Sequence, residues 1–366
     1  MSKPKLVLIV GSGFSKEAGI PTTAELASQF LNRSDNGVVT ETLENSISSI
    51  LKRFWNDVFG YVDGDRRPSM EDHFTMIDLA ANSGHHLSPY WSPKRLRAIR
   101  RMSIHRVFQI LDKSIIPSPS ITRILTESRN LFDVSIVSLN WDIVVEKRLQ
   151  EITNNYELYP DYGINFYKFN GDFVTDKDIS LLKLHGSSNW VYCDNCRRIF
   201  AGSIKEALHR MVFLEKDDFE LFDDIDIPTF ELLTQNDERK CPNCGNIMGG
   251  RVATFSYRKA FSISQFQEIW SRTLDALGMA ENWLFVGYSM PQADFEFRHI
   301  IKSAQFARKT PPNIQAIIKK SDDWDGGRNN FKEFFGRALD NIYDNGLSHW
   351  VDNQLEDYCN RHGETS

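Results

Sequence analysis

The chain predicts an α/β fold: a doubly wound parallel sheet carrying a helical insertion and a small cysteine-rich module. Three observations predict it. Short continuous apolar runs recur along the chain, and each ends in a glycine-containing or polar cluster. Helical periodicity fills the stretches between them. Four of the five cysteines fall in two C-x-x-C pairs inside one segment. Strands that alternate with helices imply a parallel sheet covered on both faces.

The first run, Leu6–Val10, ends in glycine and reads as a strand buried on both faces. A Gly-rich turn follows, and Thr22 to Leu31 reads as a helix with Pro21 at its start, where proline is tolerated. Val39 to Phe59 and Pro93 to Ile116 carry apolar residues at three- and four-residue spacing, which predicts helices. Gly60 to Ser92, with scattered Gly, Pro and His, gives no clear period. Residues 36–130 therefore read as a helical insertion. Phe132 to Leu139 returns to strand character, and Trp141 to Leu149 starts a helix. Ser180 to Leu184, Trp283 to Val286 and Ile314 to Ile318 complete a set of about five strands. The predicted core is thus residues 1–35, 131–190 and 256–345. A zinc-ribbon-like module spans 191–255, and 346–366 is left as a C-terminal tail.

Composition excludes some functions. The net charge of -6 argues against a general nucleic-acid binder, because such binding rests on phosphate neutralisation by Lys and Arg. The run Lys94, Arg95, Arg97, Arg100, Arg101 and Arg106 is the one basic stripe, and at helical spacing it reads as a solvated face or a subunit contact. The acidic stretch Glu215 to Glu231 reads as a surface loop. Lys3 and Lys5 precede too short an apolar run for a secretory signal, and no stretch approaches the ~18–20 apolar residues of a membrane span. A soluble, cytoplasmic protein with reduced thiols is expected.

In such sheets, ligands bind outside the carboxyl ends of the strands. Four clusters fall there. Gly11-Ser12-Gly13-Phe14-Ser15, closing with Gly19-Ile20-Pro21, lets the backbone approach an anion where a helix opens. Its spacing is not the dehydrogenase G-x-G-x-x-G, and a tight turn without a ligand is the alternative. Asn140 and Asp142 offer amide and carboxylate groups, or simply cap the next helix. His185, followed by Gly186, titrates near neutrality and can take a proton from water or a hydroxyl. Gly287 and Ser289 line an adenosine pocket or belong to an ordinary proline turn. The pairs Cys193/Cys196 and Cys241/Cys244 suit a closed, tetrahedral, structural zinc site.

Taken together and in order, these residues resemble the sirtuin family, more closely its bacterial branch found in antiviral defence. Gly11, Gly13, Ser15, Gly19, Ile20 and Pro21 are similar to its Gly-x-Gly-x-Ser…Gly-Ile-Pro turn. Asn140 and Asp142 match its Gln-Asn-Ile-Asp motif, and His185–Gly186 its catalytic histidine. The four cysteines follow as its zinc module does, and Gly287 and Ser289 match its Gly-Thr-Ser turn. The chain departs from deacylating members in reading Thr22-Thr23-Ala24 for Asp-Phe-Arg, Leu139 for Gln, and a long acidic insertion between the cysteine pairs.

The resemblance implies a Rossmann-like core with NAD as substrate and a structural zinc ion. It implies an NAD hydrolase that releases nicotinamide and ADP-ribose, depleting the cofactor in infected cells. The expected roles are Gly11, Ser12, Gly13 and Ser15 at the pyrophosphate, Asp142 at the nicotinamide amide, Asn140 on the ribose or a water, and His185 as general base. A sirtuin-type protein deacylase and an NAD or ADP-ribose sensor without turnover are the alternatives. Control by homo-oligomerisation or by a partner such as a hexameric helicase-type ATPase is expected, with the helical region as the contact.

Overall fold

The computed structural model describes residues 3–32, 41–64, 66–112, 115–156, 158–168, 175–193, 195–204, 206–207, 214, 216–222, 240–246, 248, 264–320 and 326–363. The core strands are β1 (Lys5–Val10), β2 (Asp133–Ser138), β3 (Tyr159–Asp161), β5 (Thr175–Lys183), β8 (Asn282–Val286), β9 (Asn313–Ile317) and β10 (Asn341–Tyr343). They form a seven-stranded sheet in the order β10-β9-β8-β1-β2-β5-β3, and every pairing is parallel. This is the doubly wound α/β fold expected, with two short edge strands, β3 and β10, added. Without β3 the order is the 3-2-1-4-5-6 of dinucleotide-binding sheets, with the topological switch between β1 and β8. β1 lies at the centre because five successive residues, Leu6 to Val10, are at most 1% exposed. Burying five such side chains is worth on the order of 10 kcal/mol.

The helices between the strands are α1 (Ser12–Lys16), α2 (Thr23–Gln29), α3 (Glu41–Phe59), α4 (Met70–Ser83), α5 (Pro93–Leu111), α6 (Pro119–Leu131) and α7 (Val144–Thr153). Local chemistry sets several starts. Ser92 and Ser118 each accept a backbone N–H at the N-cap, and each is followed by proline at the first helical position. Helix α4 lies inside the stretch whose period was unclear. Its buried face interleaves His73 and Asp78 with Met70, Phe74, Ile77 and Ala81, so polar residues interrupt the apolar stripe. His73 is fully buried, accepting from Trp55 Nε1 at 2.9 Å and lying 2.8 Å from Ser103 Oγ. Helices α3, α4 and α5 pack on one another, whereas α6 packs on β2 and α7 and so flanks the sheet.

The basic run of α5 is only in part the solvated face expected: Lys94 and Arg97 are exposed, whereas the other cations are partly or fully buried. Arg100 pairs with Asp78, Arg95 donates to Leu221 O, and Arg97 donates to Ala81 O. Arg101 pairs with Asp218. Arg106 is fully buried and pairs with Glu44 at 3.0 Å. Buried carboxylates stand opposite Arg100, Arg101 and Arg106, so these cations turn inward. Asp218 lies on α8 (Lys216–Glu220), so that part of the acidic stretch is a short helix with a buried face rather than a loop. Residues 223–231 of the stretch lie outside the described residues.

Beyond the module come α9 (Ser264–Met279), α10 (Phe295–Ala307), α11 (Gly326–Phe335), α12 (Leu347–Asn353) and α13 (Leu355–His362). The last two replace the tail expected from residue 346. Leu347, Trp350, Val351, Leu355 and Tyr358 are buried, and both helices pack against α6. No helix among the described residues is long and apolar enough to cross a membrane.

A small second sheet, β4 (Phe166–Lys168), β7 (Ile199–Ala201) and β6 (Trp190–Tyr192), carries the first cysteine pair in its β6–β7 turn. The four Sγ atoms lie within 4.8 Å of one another. Cys193 and Cys244 Sγ are 3.4 Å apart, and Cys196 and Cys241 Sγ are 3.6 Å apart. A tetrahedral site with Zn–S near 2.3 Å places sulfurs about 3.8 Å apart, so the four thiols fit zinc. The two knuckles are built alike. The amides of Arg197 and Gly245 donate to Cys193 O and Cys241 O, and both residues take left-handed backbone. Burial pushes the Cys241 thiol up to about 12, and a divalent cation bound there would offset that cost by favouring thiolate.

Candidate active site

A cavity of about 1480 Å³ opens over the carboxyl ends of the strands. Gly11, Ser12 and Gly13 line it from β1, Asn140 and Asp142 from β2, His185 from β5, and Gly287 and Ser289 from β8. Ile20 and Pro21 complete the same wall. Of the residues singled out in sequence for a ligand, Ser15 and Gly19 do not line it.

The glycines hold the switch point closed. Gly11 N donates to Val286 O at 3.0 Å and Gly13 N to Gly287 O at 2.8 Å. A Cβ on Gly11 would lie 2.7 Å from Gly287 O, and one on Gly13 would lie 2.9 Å from Gly287 Cα. One on Gly287 would lie 2.0 Å from Phe14 N. The turns after β1 and β8 thus touch backbone to backbone. The Gly13 amide is used in this contact, whereas the Ser12 amide has no such partner among the described residues. Gly19 takes positive φ and turns the chain out of α1 towards Pro21. Thr22 then caps α2 in a reciprocal capping box with Glu25, which gives the Thr22-Thr23-Ala24 departure a local structural role.

Asn140 ties this turn to the next strand. Its Nδ2 donates to Gly11 O at 2.8 Å and to Ser15 Oγ at 2.9 Å. Gly11 O can only accept, so the amide orientation is fixed. With both amide hydrogens engaged, Oδ1 is the atom Asn140 offers a ligand. Ser15 is buried, and its hydroxyl serves Asn140. Asp142 accepts Val144 N on Oδ1 at 3.0 Å, an Asx turn just ahead of α7, which begins at Val144 and not at Trp141. Beneath it, Lys183 Nζ pairs with Glu146 at 2.9 Å, and Tyr162 donates to the same carboxylate. Lys183 also donates to Asp142 O. This buried pair joins the ends of β2 and β5, where Asp142 and His185 stand.

His185 is 5% exposed, and its Nδ1 lies 3.1 Å from Leu139 O. A carbonyl can only accept, so Nδ1 carries the proton and Nε2 is left as the basic nitrogen. Trp270 of α9 covers one side of the ring. Asp294 approaches the other nitrogen, with Oδ1 3.9 Å from Nε2. The sequence reads the loop carrying Asp294 as an adenosine pocket lined by Gly287 and Ser289 or as an ordinary proline turn, and gives Asp294 no role. Its signal is the carboxylate at the start of α10, a position that usually marks a cap. The cavity is also lined by four exposed cations, Arg66, Arg67, Lys319 and Lys320, none in an ion pair among the described residues. In a chain of net charge -6 they mark the mouth for an anion.

No family model matches the chain, and no curated protein matches it. Solved structures do. A mutant Sir2 homologue in complex with ADP-ribose is similar at 15% identity, over 100% of this chain and 95% of that one, with a TM-score of 0.45. A structure of Sir2 enzymes addressing their mechanism and regulation is similar at 14% identity over 99% and 94% of the two chains, with a TM-score of 0.45. Sir2 with an inhibitor, 2′-O-acetyl-ADP-ribose and a deacetylated peptide is similar at 10% identity over 97% and 94%, with a TM-score of 0.40.

Proposed function

We propose that the chain hydrolyses NAD at the bond between nicotinamide and ribose. One observation carries this reading. Asn140 Oδ1, the Asp142 carboxylate and His185 Nε2 converge from two adjacent strand ends on the cavity that the Gly11–Gly13 turn floors. A basic histidine nitrogen facing this cavity can take the proton of a water that attacks the ribose. The pyrophosphate would rest on the glycine turn, near the Ser12 amide and the Ser289 hydroxyl, with Ser15 acting through Asn140. Asp142 would fix the nicotinamide amide, and Asn140 Oδ1 would accept from the ribose or from water.

In the reaction, the bond from C1′ to the nicotinamide nitrogen breaks and its electron pair leaves with nicotinamide. Water adds to C1′, and its proton passes to His185 Nε2. The products are nicotinamide, ADP-ribose and a proton. The likeness of the motifs to the antiviral-defence sirtuins supports depletion of NAD as the purpose. Held in check by self-association or by a partner, such an activity would be released on infection.

The test is nicotinamide release from NAD by the purified protein, with and without an acetylated peptide. Loss of release in both His185→Ala and Asn140→Ala, by 10²-fold or more, is expected for a general base and its partner. Undiminished release in both variants overturns the assignment. Release that requires the peptide points to deacylation instead, and binding that leaves NAD intact points to a sensor.

A further inference from the structure

Asp294 is buried at the first turn of α10, and its side chain makes no capping hydrogen bond to that helix. A carboxylate at an N-cap ordinarily satisfies the exposed amides behind it. This one turns into the cavity. Oδ2 accepts from Tyr288 OH at 3.0 Å, and Oδ1 lies 3.9 Å from His185 Nε2. We infer that Asp294, held by Tyr288, is a positioning residue for His185: it stabilises the imidazolium that forms as Nε2 takes a proton.

Three features support this, and the inference rests on the cleavage reading above. The ring is anchored from behind by Leu139 O, so Nε2 must be the nitrogen that gains the proton. The carboxylate stands on the side of that nitrogen, at a separation where an opposite charge favours the protonated ring by about one pH unit or more. Tyr288 is fully enclosed, and burial together with the neighbouring Asp294 charge holds its phenol far above the usual range, so it stays a donor and fixes the carboxylate. Asp294 is thus presented from β8, across the switch point from the strands that carry Asn140 and His185. A site assembled from both halves of the sheet acts only when the halves are docked.

The other charged groups around the ring are Asp142, which accepts Val144 N, and Lys183, which is two residues back on β5 and paired with Glu146. Neither changes in the variants that follow. The intact chain is labelled with 13C at histidine Cε1, and the His185 signal is identified by its loss in His185→Gln. In Asp294→Asn the His185 titration is expected to fall by about one pH unit or more, and the acid limb of the nicotinamide-release profile to move with it. In Tyr288→Phe the carboxylate loses its donor, and the titration is expected to rise. Thermal melts confirm that each variant is folded, and if Asp294→Asn does not fold, Tyr288→Phe carries the test. An unmoved His185 titration in the folded variants overturns the inference. The titration is read without NAD, so a protein that cleaves no NAD would count against the function and not against the pair.

Discussion

Alanine at Gly287 is the sharpest probe of the switch point. Its Cβ would sit 2.0 Å from Phe14 N and 2.3 Å from Gly13 C, both backbone atoms, at a φ of +63. The left-handed conformation alone costs an L-residue roughly 1–2 kcal/mol, partly offset by about 0.4–1 kcal/mol from a stiffer unfolded chain. Gly60 isolates that cost, because it has φ +65 and nothing within 4 Å of its added Cβ. Gly60→Ala should therefore lose about 0–1.6 kcal/mol. Gly287→Ala adds an overlap that no side chain can relieve, so β1 and β8 must part. Overpacking of this kind costs typically about 1–3 kcal/mol and sometimes more. The difference between the two variants should be about 2 kcal/mol or more, read from denaturation midpoints at equal slope. Gly287→Ala should also lose NAD binding by calorimetry while Gly60→Ala keeps it. Equal stability of the two variants would refute the argument that the turns interlock.

Two further predictions follow from the buried groups. Burial depresses the His73 imidazole to about 3 from an ordinary 6.5, so the folded state binds the proton less well than the unfolded chain. The stability His73 contributes is therefore complete above pH 6.5 and declines by up to about 1.4 kcal/mol per unit as pH falls towards 3. His73→Gln should flatten that part of the stability profile, and a slope that survives the change would show that other groups cause it. The cysteine cluster should hold one zinc ion per chain by elemental analysis. Cys241→Ser should abolish it and lower the melting temperature, whereas Cys359→Ser, outside the cluster, should leave the zinc content unchanged.

The sheet was legible because β1 and β8 hold continuous apolar runs, β2 and β9 are apolar runs broken by few polar residues, and the strand ends carry the glycines, Asn140 and Asp142. β3 and β10 were not, because three-residue edge strands such as Tyr159–Asp161 have no periodicity to read. Helix α4 was hidden by His73 and Asp78, polar residues whose partners, Trp55, Ser103 and Arg100, are distant in sequence. The candidate site was largely legible as residue types but not as hydrogen bonds. Sequence assigned Gly13 to a phosphate, whereas its amide closes the switch point. It assigned Ser15 to the same ligand, whereas its hydroxyl orients Asn140. Asp294 looked like part of a turn because nothing local shows that its carboxylate forgoes its own helix.

The pairing of three α5 arginines has a consequence for how a ligand would arrive. Three of this helix's cations, Arg100, Arg101 and Arg106, are matched by Asp78, Asp218 and Glu44, which reduces the charge it shows to water. With a net charge of -6, the chain as a whole repels polyanions at long range. At the cavity, the exposed Arg66, Arg67, Lys319 and Lys320 reverse the sign. Capture of a small dianion then becomes a short-range event, confined to roughly the 8 Å over which charges act at physiological salt.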